Sequence, residues 1–123
     1  MSYAERHTVT LVTDASGDAT GYSPVITGRI LTIHYVATDY SAGVDFTITA
    51  EATGETIWTE SNVNATKTVA PRQATHSTAG VAALYAAAGT AVNDHVALAN
   101  DRVKIVVAAG GNAKTGAFHI IVG

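Results

Sequence analysis

The stretch from Arg102 to Gly123, RVKIVVAAGGNAKTGAFHIIVG, constrains the fold of this chain more than any other. Two β-branched runs flank a glycine-rich connection. Branched side chains favour extended backbone, and glycine permits the reversal between the runs. The pattern predicts a β-hairpin. Its second strand needs a sheet partner, because an unpaired strand at a chain end frays. The expectation is a compact β module with that strand locked into a sheet.

The rest of the chain agrees with an all-β fold. Its 123 residues suffice for one domain with a substantial core. Hydrophobic residues make up 47 %, much of it Ala and Val, and charged residues only 14 %. Ordinary soluble domains carry about a quarter charged residues. The surface must therefore be dressed in Thr, Ser, Asn and Ala. Such a surface suits permanent contacts, since little charge has to be desolvated on assembly.

Thr8 to Thr13 alternates, with Val9 and Leu11 on one face, and reads as a first strand. Met1 to His7 is read as a flexible N-terminal arm, and residues 8–123 as a single domain. Asp14 to Gly21 is a turn cluster. Ile26 to Val36 is a long strand with Leu31, Ile33 and Tyr35 on one face and Ile30, Thr32, His34 and Val36 on the other. Both faces are apolar enough to make it a central strand. Val44 to Ala50 alternates most cleanly, with Val44, Phe46, Ile48 and Ala50 inward. The short turn Glu51–Gly54 joins it to Glu55–Glu60 as an antiparallel hairpin. Trp58 is a large core or interface anchor. Lys67 to Ala70 is a weak strand stopped by Pro71, and Asp94 to Leu98 a short one. The count reaches about eight short antiparallel strands, the signature of a β-sandwich or jelly-roll-like barrel.

Residues 71–91 stand apart. They are Ala-rich, with Val81, Leu84 and Tyr85 as the large apolar groups. Ala79 to Ala88 could wind into a short helix, but its apolar face is too thin to hold one. An extended segment or a long, partly ordered loop is expected, of the kind that serves function or lies against a partner. Arg72, Gln73, His76 and Tyr85 are the candidate partner-contact residues.

The residues spell out no reaction. The histidines at 7, 34, 76, 95 and 119 have no metal-ligand spacing. His34 and His119 read as half-buried strand residues with backbone partners. The Gly110–Gly116 segment holds a Lys-Thr pair, but a phosphate loop needs Gly-Lys-Thr entering a helix, and here a strand follows. Asp14–Asp18 resembles half a calcium loop without the downstream acid, so its aspartates should cap backbone amides instead. No catalytic residue, cofactor or metal is assigned, and the chain is read as a non-enzyme. Net charge is −3, and the seven basic residues are scattered, so no direct nucleic-acid footprint is expected. No apolar run approaches membrane-spanning length, and no membrane association is expected. With no Cys and no signal-like N-terminus, synthesis in a host cytoplasm is the expectation.

Several phrases together resemble small virion proteins of tailed bacteriophages: DASGDATGY, GRILTIHYV, TGETIWTE, PRQATH and ANDRVKIVVAAGGNAKTG. The likeness spans most of residues 8–123. It implies a head-associated capsid decoration or cement protein that binds the outside of the shell through the major capsid protein and stabilises it. It also implies a homo-oligomer, with a trimer favoured because it matches local three-fold positions. The alternatives are another virion component (tail, neck or fibre tip) and a carbohydrate-binding β-sandwich using Trp58, Tyr22, Tyr35, Tyr40 or Tyr85.

Overall fold

The computed structural model describes residues 4–123. It contains ten strands in two antiparallel sheets, not closed into a barrel. They are β1 (Glu5–Val12), β2 (Ala19–Tyr22), β3 (Ile26–Val36), β4 (Val44–Ala50), β5 (Thr56–Val63), β6 (Lys67–Val69), β7 (Arg72–Ala74), β8 (Asn93–Asp101), β9 (Val103–Ala108) and β10 (Thr115–Val122). The six-stranded sheet runs β1-β10-β3-β8-β7, with β6 sharing the β8 side of β3. The four-stranded sheet runs β2-β9-β4-β5. Two strands exceed the sequence expectation. β2 overlaps the end of the predicted turn cluster, and β7 lies at the start of the Ala-rich stretch. β1 begins at Glu5, so residues 5–7 are strand, while an arm over Met1–Tyr3 lies outside the described residues.

The predicted hairpin over Arg102–Gly123 is corrected. β9 pairs with β2 and β4, whereas β10 pairs with β1 and β3. The glycine-rich connection is an arch that crosses from one sheet to the other. Both strands alternate and both have an apolar face, but those faces oppose each other across the core. Val103, Ile105 and Val107 come from one side, and Phe118, Ile120 and Val122 from the other. The arch is held by neighbouring turns. Ser41 N–H donates to the Gly110 carbonyl (2.9 Å), Gly110 N–H to Gly17 O (2.9 Å), and Lys114 N–H to the buried Thr13 hydroxyl (2.9 Å). Asp14 caps its own turn as expected, its Oδ1 accepting from Ser16 and Asp18 N–H at 2.8 and 3.0 Å.

β4 faces as predicted, with Val44, Phe46, Ile48 and Ala50 buried. It pairs with β5 through the 51–54 turn. β3 is central, but its facing is corrected at Ile30. Ile121 pairs with Thr32 and Val122 with Ile30, which leaves Leu31 as a bulged extra residue. A bulge resets the alternation. Ile30 therefore joins Ile33 and Tyr35 in the core, and Leu31 turns out of it.

Aromatic rings tie the sheets together. Tyr35 and Phe118 come from one sheet and Phe46 from the other, with centroids 5.0–5.2 Å apart. Phe46 also meets Trp58 edge-on at 4.7 Å. Trp58 is half-buried, and its indole N–H donates to Glu60 Oε1 (3.1 Å). Lys67 reaches Glu60 from β6, so this ion pair links the two sheets. Lys67, and then the indole, hold the Glu60 carboxyl below the usual carboxylate range. Tyr40 lies on the backbone of Gly116, where a β-carbon would strike its ring. Its hydroxyl donates to Leu11 O (2.8 Å).

These contacts make two predictions. Phe46→Ala and Ile105→Ala should each lose about 2–5 kcal/mol in denaturant unfolding, because both side chains leave a cavity between the sheets. The second concerns alkaline pH. Burial, then Tyr35 and Asp39, push the Tyr40 hydroxyl up to about 12. An unfolded tyrosine titrates near 10. The folded state keeps the proton longer, so this stability is whole below about pH 10 and is lost as pH rises toward 12. Tyr40→Phe should flatten that alkaline loss in pH-dependent melts. At neutral pH it should cost about 1–3 kcal/mol, since the Leu11 carbonyl loses a donor.

Candidate functional site

Residues 75–92 form a flap continuing the β7–β8 ladder. That ladder pairs Arg72 with His95, Gln73 with Asp94, and Ala74 with Asn93. Beyond it three backbone hydrogen bonds close a ring. Thr75 N–H donates to Val92 O (2.9 Å), Val92 N–H to Ala83 O (3.0 Å), and Ala83 N–H to Thr75 O (2.9 Å). Two tight reversals extend from the ring. In the first, Gly80 N–H donates to Ser77 O (2.9 Å), and the Ser77 hydroxyl accepts from Ala79 and Val81 N–H (both 3.3 Å). In the second, Gly89 N–H donates to Ala86 O (2.8 Å) and Tyr85 N–H to Thr90 O (3.1 Å). Bridges pair His76 with Ala82 and Leu84 with Ala91. The segment is extended, as expected, and its order comes from backbone bonds. It has no helix.

The flap contributes no fully buried side chain. From Thr75 to Val92 every residue is exposed or half-exposed, and none carries a formal charge. The large apolar groups point to solvent: Val81 is 65 %, Leu84 43 % and Tyr85 78 % exposed. Three exposed apolar side chains on an uncharged segment make the flap the candidate contact surface.

The four predicted contact residues divide into two pairs. Arg72 and Gln73 belong to the stem. The Arg72 guanidinium donates to the carbonyls of Pro71 (2.8 Å) and the bulged Leu31 (3.3 Å), and Gln73 Nε2 to His95 O (3.4 Å). His76 and Tyr85 belong to the flap body. Val81 and Leu84 are the other large apolar side chains that the flap exposes. Both were visible as large residues in an Ala-rich stretch, but only the fold shows them unburied. At the stem, the backbone and ring N–H groups of His95 hold the Asp94 carboxyl below its usual range.

The histidine expectation is also corrected. The partners of His34 and His119 are threonine hydroxyls, not backbone groups. Thr8 Oγ1 lies 3.1 Å from His119 Nδ1, and Thr68 Oγ1 adjoins His34 Nδ1. Among the described residues no cluster of three or more His, Cys, Asp or Glu could hold a metal ion. Among the described residues no helix is long and apolar enough to cross a membrane. No protein-family model and no curated protein matches the chain.

The stem geometry yields a test. Arg72→Ala removes two hydrogen bonds at an exposed site, so unfolding free energy should fall by no more than about 1–2 kcal/mol. Hydrogen exchange at Thr75, Ala83 and Val92 should accelerate, because the stem then holds the ring less firmly. Unchanged exchange at all three would show that Arg72 does not brace the flap.

Proposed function

We propose that this chain is a structural virion protein of a tailed phage, bound to the outside of the capsid as a decoration protein that stabilises the shell. The flap supports this reading most directly. It is a hydrogen-bonded, uncharged surface that offers Val81, Leu84 and Tyr85 from a rigid β-sandwich. Such a surface desolvates cheaply against another protein and recovers hydrophobic free energy on contact. In this reading the flap docks on the major capsid protein, and a homotrimer places three flaps around a local three-fold position.

The carbohydrate reading has less to draw on. Sugar platforms need open aromatic faces. Tyr35 and Tyr40 are buried, Trp58 is half-buried, and the Arg102 guanidinium sits 4.2 Å over the Tyr22 ring. Tyr85 is left as the one open platform among these five residues.

Virions of the source phage should carry the protein in hundreds of copies. A variant with Val81, Leu84 and Tyr85 all changed to Ser should fold with an unchanged melting temperature, because the three side chains support no core. It should fail to co-sediment with shells that lack the protein. Full binding by the folded variant would remove the flap from the contact. Absence from purified virions would defeat the proposed role.

A further inference from the structure

The outer face of the six-stranded sheet carries a polar row built from four strands. Thr8 pairs with His119, His119 with His34, and His34 with Thr68, so β1, β10, β3 and β6 each place one residue in line. The two imidazoles stand side by side with ring centroids 6.0 Å apart. Each has its Nδ1 against a threonine hydroxyl, one at either end of the row. Next to it runs a second line, Arg6, Ile121 and Thr32, and on the other flank Thr10, Ala117 and Val36. Arg6, His34, Val36, His119 and Ile121 surround an open depression of ≈ 330 Å³.

The chemistry of this depression is one-sided. Its fixed charge is the Arg6 guanidinium, and no carboxylate lines it. When a threonine hydroxyl donates to Nδ1, the imidazole proton sits on Nε2 and is free to donate outward. Two such N–H groups beside a guanidinium bracket an oxyanion, with one carboxylate oxygen to each ring and the arginine neutralising the charge. Ile121 and Val36 add one apolar group on either side of the histidine row, Ile121 beside Arg6 and Val36 on the far flank. A divalent cation would instead meet the arginine's positive charge at close range.

We propose that the Thr8–His119–His34–Thr68 row and Arg6 form a binding site for a small organic carboxylate with an apolar body. The carboxylate lies between the two imidazoles and the guanidinium, beside Ile121, and the apolar body extends across the row toward Val36. The threonines act as positioning residues: each holds a ring at Nδ1, and its hydroxyl can donate there when Nε2 gives its proton to the carboxylate. This site is independent of the flap and of the proposed virion role.

The test is an NMR titration of the full chain with benzoate, acetate, inorganic phosphate and zinc chloride in turn. Benzoate should move the His34 and His119 ring signals and the Val36 and Ile121 methyl signals together, to saturation. Acetate and phosphate lack the apolar body and should bind about tenfold more weakly or worse. Arg6→Gln should weaken benzoate about tenfold, and Arg6→Lys should recover part of that loss. Arg6 is exposed, so both variants should keep the parent's dispersed spectrum. Saturable zinc binding at both Nε2 atoms with no response to benzoate would overturn the proposal in favour of a metal site. Equal benzoate affinity in the Arg6→Gln variant would overturn it as well.

Discussion

Contact among Tyr35, Phe118 and Phe46 across the sandwich is the interaction on which the remaining structure depends. Two sheets pack stably only when their inner faces interdigitate, and aromatic rings bury the most area per residue. Here one sheet offers two rings and the other offers one. Their tilted and edge-on geometry sets how the sheets lie against each other. Smaller groups follow from that placement. Gly116 lacks a side chain where Tyr40 lies, and Gly21 lacks one where Leu11 lies. The Tyr35 hydroxyl, by contrast, is buried with no partner among the described residues. Burial raises its pKa. The ring is kept inside for its area despite that polar cost.

The legible parts of the sequence were those governed by local alternation. β4 has one face in the core and one toward solvent, so Val44, Phe46, Ile48 and Ala50 announce themselves. The illegible parts depend on residues far away in sequence. The bulge at Leu31 shifts the β3 alternation, and no neighbouring composition marks it. The arch between β9 and β10 looks like a hairpin because both have two strands and a glycine-rich connection. Only pairing with β2, β4, β1 and β3 tells them apart. β2 reads as turn because its strand state comes from β9. The same distinction holds for the sites. Tyr85 stood out in an Ala-rich stretch, whereas the Thr-His-His-Thr row gathers residues from four separate segments.

The molecule separates rigidity from contact. The core is held by burial between the sheets, and the polar ties (Asp101 on the Ala52 and Arg102 amides, Glu60 on Lys67 and Trp58) fasten turns and sheet edges. The flap follows a different rule. Its order rests on backbone hydrogen bonds around Thr75, Ala83 and Val92 rather than on a core of its own. Apart from the Thr75 and Ser77 hydroxyls, which bond its backbone, its side chains are free of structural duty and can vary without endangering the sandwich.

The arch has a consequence for biosynthesis. β9 and β10 come last in the sequence among the ten described strands, yet both are interior strands. β10 lies between β1 and β3, and β9 between β2 and β4. β1 and β2 are made early and have no other strand partner among the described residues. Neither sheet is complete until β9 and β10 have been made, and the early strands wait with open edges until then. Non-local pairing of this kind folds slowly and exposes edges to aggregation. The threonines at their outward positions (Thr8, Thr10, Thr20), set against the exposed Val12 and Tyr22, help those strands survive the wait unpaired.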